Sequence, residues 1–108
     1  MGAMITIIYD EKIVLKSEVE TMSRDIQAMT SQIMGAKDVF VYTNKVELAF
    51  AIDPIEVFIQ VNEAKTPSPA KLINEIAEGL AIWKSENKFS YPINLNVIPV
   101  VWHAKFGI

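Results

Sequence analysis

The spacing of apolar residues changes several times along the chain, and each change predicts an element. Ile5-Thr6-Ile7-Ile8-Tyr9 is a short run rich in β-branched residues, closed by Asp10-Glu11-Lys12, and reads as a buried strand. Ser17-Glu18-Val19-Glu20 follows with a hydroxyl at an N-cap position and a carboxylate three residues on, which predicts a helix start. Val19, Met22, Ile26, Met29 and Ile33 then recur at steps of three and four, one stripe of a helix that Gly35 can close in the left-handed conformation. Val39-Phe40-Val41-Tyr42 predicts a strand, and the alternation of Val46, Leu48, Phe50 and Ile52 predicts a second arm forming a hairpin with it. After Asp53-Pro54, residues Ile55 to Val61 alternate cleanly, with Ile55, Val57, Ile59 and Val61 on one face. Ser68 as N-cap and Pro69 at the first helical position open a second helix, whose stripe is Leu72, Ile73, Ile76, Ala77, Leu80 and Trp83. Gly79 inside that stripe lowers helix propensity by about 1 kcal/mol and points to close packing or a weak last turn. Ile93 to Val101 predicts a last strand, which Pro99 assigns to a sheet edge or a bulge.

The two halves repeat. Ile5 to Ile55 spans 50 residues, Ser17 to Ser68 spans 51 and Val39 to Ile93 spans 54, so strand, helix and strand recur at a nearly constant offset. Each half is a βαβ unit whose helix must cover its apolar stripe with a sheet. Two helices on one face of one sheet satisfy both halves, which predicts an α+β two-layer sandwich in a single domain over residues 1–108. The opposite face, carrying Glu56, Phe58, Gln60, Asn94 and Asn96, is mixed in polarity and predicts contact with another subunit or a wet channel.

Composition narrows the chemistry. The chain has 108 residues, 51% hydrophobic and 21% charged, with a formal net charge of −3, so it offers no broad field for nucleic acid or anionic membrane. With no cysteine and one histidine, His103, it predicts neither a zinc site nor a thiol nucleophile, and no cofactor is implied. No apolar run is long enough to span a bilayer and none resembles a secretory signal, so a cytoplasmic protein is expected. Met1-Gly2-Ala3 also reads as a cloning scar, with Met4 then the natural start. His103 has no placed carboxylate partner, and Met22 and Met29 sit in the helical stripe as core filling. The apolar tail from Val100 to Ile108 predicts docking on a neighbouring subunit.

With its paired βαβ units, Ile55-Glu56-Val57-Phe58-Ile59, the Ser68 helix and Asn96-Val97-Ile98-Pro99-Val100, nearly the whole chain resembles the tautomerase superfamily of 4-oxalocrotonate tautomerase and macrophage migration inhibitory factor. It is most similar to a small bacterial branch of unknown function. The resemblance implies a homotrimer with active sites between subunits, acting on small enolisable keto acids. It implies an N-terminal proline as base, and no proline stands among Met1 to Ile5, so weak or absent keto-enol tautomerase activity is expected. A primary amine, with an ordinary pKa of about 7.7 to 8.0, would be the base in its place. The candidate pocket that the resemblance implies is Ile5 at the start of the first strand, Lys37 as a binder of substrate carboxylate, and Asn94 late in the chain. Lys37 is also a cation near a helix C-terminus, where the macrodipole favours it. The alternative is a ferredoxin-like regulatory or interaction module, non-catalytic, that dimerises through its sheet. The two differ in assembly, threefold against twofold.

Overall fold

The computed structural model describes residues 2–47 and 53–108. Its elements in chain order are β1 (Ala3–Tyr9), α1 (Lys16–Met34), β2 (Val39–Lys45), β3 (Ile55–Asn62), a short 3₁₀ turn (Glu63–Lys65), α2 (Pro69–Glu86) and β4 (Asn94–Val100). The strands form one sheet in the order β2-β1-β3-β4, with β1 and β2 parallel, β1 and β3 antiparallel, and β3 and β4 parallel. The predicted α+β sandwich of two βαβ units is therefore present, joined back to back through an antiparallel centre. In each unit the two strands are neighbours. A ferredoxin-like sheet would instead split each unit by inserting a strand between them, so the alternative fold is excluded.

Strand parity explains the core. Ala3, Ile5, Ile7 and Tyr9 of β1 and Ile55, Val57, Ile59 and Val61 of β3 all face the helices and are buried. Val19, Met22 and Ile26 of α1 and Leu72, Ile76, Leu80 and Trp83 of α2 meet them, closing one apolar cluster. Trp83 also donates its indole N–H to Asp25 of α1 at 2.6 Å and packs on Phe89, with ring centroids 5.3 Å apart. That bond ties the two helices across their outer surface.

The helix ends carry the chemistry expected of them, with one correction. Gly35 takes φ 63° and ψ 32°; its N–H donates to the Gln32 carbonyl and that of Ala36 to the Ser31 carbonyl, which is a Schellman motif. The Ser68 hydroxyl accepts from the Lys71 N–H at 3.3 Å, and Pro69 follows it at the first helical position. Helix α1, however, is capped two residues earlier than expected. Leu15 is the N-cap, and the carboxylate of Glu18, rather than Glu20, reaches back to the Leu15 N–H at 3.2 Å. A backbone donor satisfied by an acid three residues on is half of a capping box, and it needs no hydroxyl at the cap itself.

Strand β2 runs past Tyr42 to Lys45 because its residues pair in register with β1 up to Tyr9 and Lys45. Of the second hairpin arm expected from Val46 to Ile52, Val46 and Glu47 are outside any strand, and the remainder lies outside the described residues. Pro99 sits on the edge strand β4, as its missing N–H requires. No helix among the described residues is long and apolar enough to cross a membrane.

The helix-free face of the sheet shows three rows across all four strands: Phe40-Met4-Gln60-Ile98, Tyr42-Thr6-Phe58-Asn96 and Asn44-Ile8-Glu56-Asn94. Phe40, Tyr42 and Ile98 are 38%, 55% and 39% exposed. Beyond β4 the chain continues without strand or helix, and the Phe106 ring comes back to lie 6.3 Å from that of Phe40.

Candidate functional site

Two ends of the sheet carry polar side chains that the sequence singles out, and strand direction decides which belong together. Because β1 and β3 are antiparallel, the start of β1 lies beside the end of β3, with Ala3 opposite Val61. The Gly35 cap turns the chain so that Ala36, Lys37 and Asp38 pass directly over that point. The N–H groups of Gly2 and Ala3 both donate to the Asp38 carbonyl, at 3.2 and 3.3 Å, which fixes the loop onto the entry to β1. The 3₁₀ turn after β3 brings Lys65 to the same place.

The result is an open cleft of about 300 Å³ lined by Gly2, Met34, Gly35, Lys37, Asp38 and Lys65. Two lysines, one from each half of the chain, and one aspartate border it. The Asp38 carboxyl is held below its ordinary range, chiefly by a hydrogen bond to a positive charge; desolvation opposes that lowering, and backbone N–H groups, that of Gly2 among them, add to it. A depressed carboxyl pKa stabilises the fold above its unfolded value, and the contribution disappears as pH falls through the folded value. The gap in urea midpoint between the native protein and Asp38→Asn is therefore expected to be largest near neutral pH and to close in acid. A gap that stayed constant with pH would refute the assignment.

The three candidate pocket residues do not form one constellation within a chain. Lys37 is exposed and lines the cleft. Ile5 is 0% exposed on the helix-facing side of β1, so its side chain belongs to the core. Asn94 opens β4 and pairs with Glu56, which pairs with Ile8, so it lies at the other end of the sheet. From the level of Ala3 to that of Ile8 is five residues along β1, roughly 17 Å at strand rise. There the Asn94 amide donates to Glu56 at 2.8 Å and to Asp53 at 3.0 Å. Asn96 donates to the Val57 carbonyl at 3.2 Å and to Glu56 at 3.4 Å. Both asparagines thus hold carboxylates in place across the edge of the sheet. Among the described residues no three His, Cys, Asp or Glu side chains gather as a metal site.

Lys65, like Asp38, is a cleft residue that sequence reasoning missed. It belongs to no motif, and only the antiparallel β1–β3 register places the residues after Val61 beside those before Ala3.

No family model matches the chain, and no curated protein matches it by sequence. Solved structures do. A 5-carboxymethyl-2-hydroxymuconate delta-isomerase superposes with a TM-score of 0.63 at 11% identity, covering 98% of this chain and 89% of that one. A macrophage migration inhibitory factor-like protein from Entamoeba histolytica gives 0.56 at 15% identity, covering 95% and 93%. A malonate semialdehyde decarboxylase, solved with 3-bromopropiolate as inhibitor, gives 0.59 at 14% identity, covering 97% and 89%. All three are members of one superfamily. The chain has the tautomerase fold. At these identities the likeness is one of architecture, and it agrees with the resemblance read from the paired βαβ units. Within this tautomerase-like chain the cleft lies at the entry to β1, between the C-terminus of α1 and the turn after β3.

Proposed function

We propose that this tautomerase-like protein binds the carboxylate of small enolisable keto acids in the cleft at the start of β1, and moves protons between their carbon and oxygen slowly or not at all. The observation that carries the reading is the convergence of Lys37 and Lys65, from separate halves of the chain, on that cleft. Two cations there suit a carboxylate and would steady the negative charge that develops on oxygen as an enolate forms. The base is the weak element. No proline leads into β1, and a primary amine in its place is largely protonated at neutral pH and must lose its own proton before it can take one from carbon. We further propose a homotrimer in which the helix-free face is covered and Asn94 of a neighbouring subunit approaches the cleft, since one chain holds Asn94 and Lys37 at opposite ends.

Phenylpyruvate titrated into the protein and followed by amide NMR tests the reading. Saturable shifts at Gly2, Ala36 and Asp38, weakened at least tenfold in the Lys37→Ala/Lys65→Ala variant, are expected, as is any enolisation rate rising toward pH about 8. A sedimentation mass near three times 12.1 kDa is expected alongside. The exposed Phe40, Tyr42 and Ile98 also suit a second reading, a non-catalytic interaction module. Absence of keto-acid binding together with a dimeric mass would replace the first reading by that one.

A further inference from the structure

The segment after β4 is apolar and almost unheld. Among the described residues no hydrogen bond or ion pair fixes Trp102 to Ile108, and the ring contact of this tail is that of Phe106 with Phe40, tilted by 44°. One aromatic pair at a surface favours the pinned form by roughly two- to tenfold, so pinned and released tails interconvert readily. Pinning also covers little: Phe106 stays 71% exposed, Val101 74%, and Ile108 wholly so. With Phe40, Tyr42 and Ile98 these make six of the nine large apolar side chains that the described residues expose, gathered on the helix-free face and its tail. Scattered exposures need no explanation, but a cluster of that kind marks an interaction surface.

We propose that the tail is an exchange arm whose partner is a second copy of this chain. Phe106 rests on Phe40 of its own subunit when the chain is alone, and on Phe40 of a neighbour in the assembly, where Val101 and Ile108 are covered as well. The acceptor decides the partner. A foreign protein would have to supply a surface for Phe106, whereas every copy of this chain already carries Phe40 on the helix-free face. Reach permits the exchange. Phe40 and Ile98 end the same row on opposite edges of the sheet, three strand spacings or roughly 14 Å apart, and the six residues from Val100 to Phe106 can extend to about 20 Å. The exchange keeps the ring pair and adds apolar burial, so it favours association. This arm presupposes the homotrimer proposed above and names the segment that ties its subunits together.

Paramagnetic broadening in amide NMR tests the exchange. The chain has no cysteine, so Lys105→Cys, exposed on the tail, gives one site for a nitroxide. In one sample the spin-labelled chains alone are isotope-labelled and are mixed with an excess of plain chains, so broadening reports contacts within a chain. In the other, plain spin-labelled chains are mixed with isotope-labelled chains that lack the nitroxide, so broadening reports contacts between chains. Sedimentation locates the concentrations below and above association. Broadening of the Phe40 and Val41 amides is expected within the chain below that range and between chains above it. Phe106→Ala is expected to weaken association about tenfold, and Ile82→Ala, exposed on α2, to leave it unchanged. An assembly in which the broadening at Phe40 stays within the chain, or one that Phe106→Ala leaves as tight as before, overturns the arm and leaves the oligomer standing. A mass of 12.1 kDa at every concentration overturns the oligomer itself, and the arm with it.

Discussion

Ile59→Ala is expected to lower the free energy of unfolding by about 3 kcal/mol, a large part of the 5 to 15 kcal/mol typical of a domain. Ile59 is fully buried at the middle of β3, opposite Ile5 on one side and Val97 on the other, and it faces both helices. Truncation there removes apolar contact from β1, β4 and the helix layer at once, and strands held in register on both sides have little freedom to collapse into the space. Gln60→Ala is the control. The neighbouring residue points to the helix-free face and is exposed in the single chain, so at concentrations where the chain is monomeric its replacement is expected to change stability by under about 0.5 kcal/mol. Urea unfolding of both variants at one protein concentration makes the comparison, since any assembly would couple stability to concentration. Equal losses for the two variants would mean that the helix layer does not cover β3 as described.

Gly79→Leu is expected to destabilise the protein by about 2 kcal/mol although leucine is a far better helix former. The reason is the approach of the helices. A Cβ at Gly79 would stand 2.5 Å from the Met29 sulfur and 3.1 Å from its terminal methyl carbon. The missing side chain is what lets α1 and α2 close over the sheet. Alanine demands only that the flexible end of Met29 move aside, so its steric penalty and its gain in helix propensity nearly cancel. Leucine demands volume that Met29 occupies. Combining Gly79→Leu with Met29→Ala is therefore expected to recover more than half of the loss, a coupling of at least about 1 kcal/mol in a double-mutant cycle. Additive effects would place the helices further apart than the structure has them.

Those two positions show what was legible in the chain and what was not. The alternation from Ile55 to Val61 and the 50-residue offset between halves were enough for the two-layer sandwich, because period-2 and period-3.6 patterns are direct consequences of which face is buried. Gly79 was readable as an anomaly, but its partner Met29 became visible only once two helices lay side by side. The entry to α1 misled because Ser17 is a good cap in isolation, whereas Glu18 satisfies the Leu15 N–H without it. The burial of Ile5 was readable from parity alone: it shares the face of Ile7 and Tyr9, and that face meets the helices. Lys65 was not readable in that way, because its place depends on a strand pairing across more than fifty residues. Local chemistry is written in neighbouring residues, while the cleft is assembled by register.

The register also decides where the molecule can be tethered. Ala3 stands opposite Val61, and Val61 opposite Pro99, so the first strand begins and the last strand ends on the same side of the sheet, two strand spacings or roughly 10 Å apart. The tail then runs toward Phe40, which pairs with Met4, and stays on that side. A tag or fused domain at either end thus hangs beside the cleft, crowding whatever enters it. A short peptide joining the two ends could instead close the backbone into a ring, with new termini opened in an exposed turn remote from Lys37.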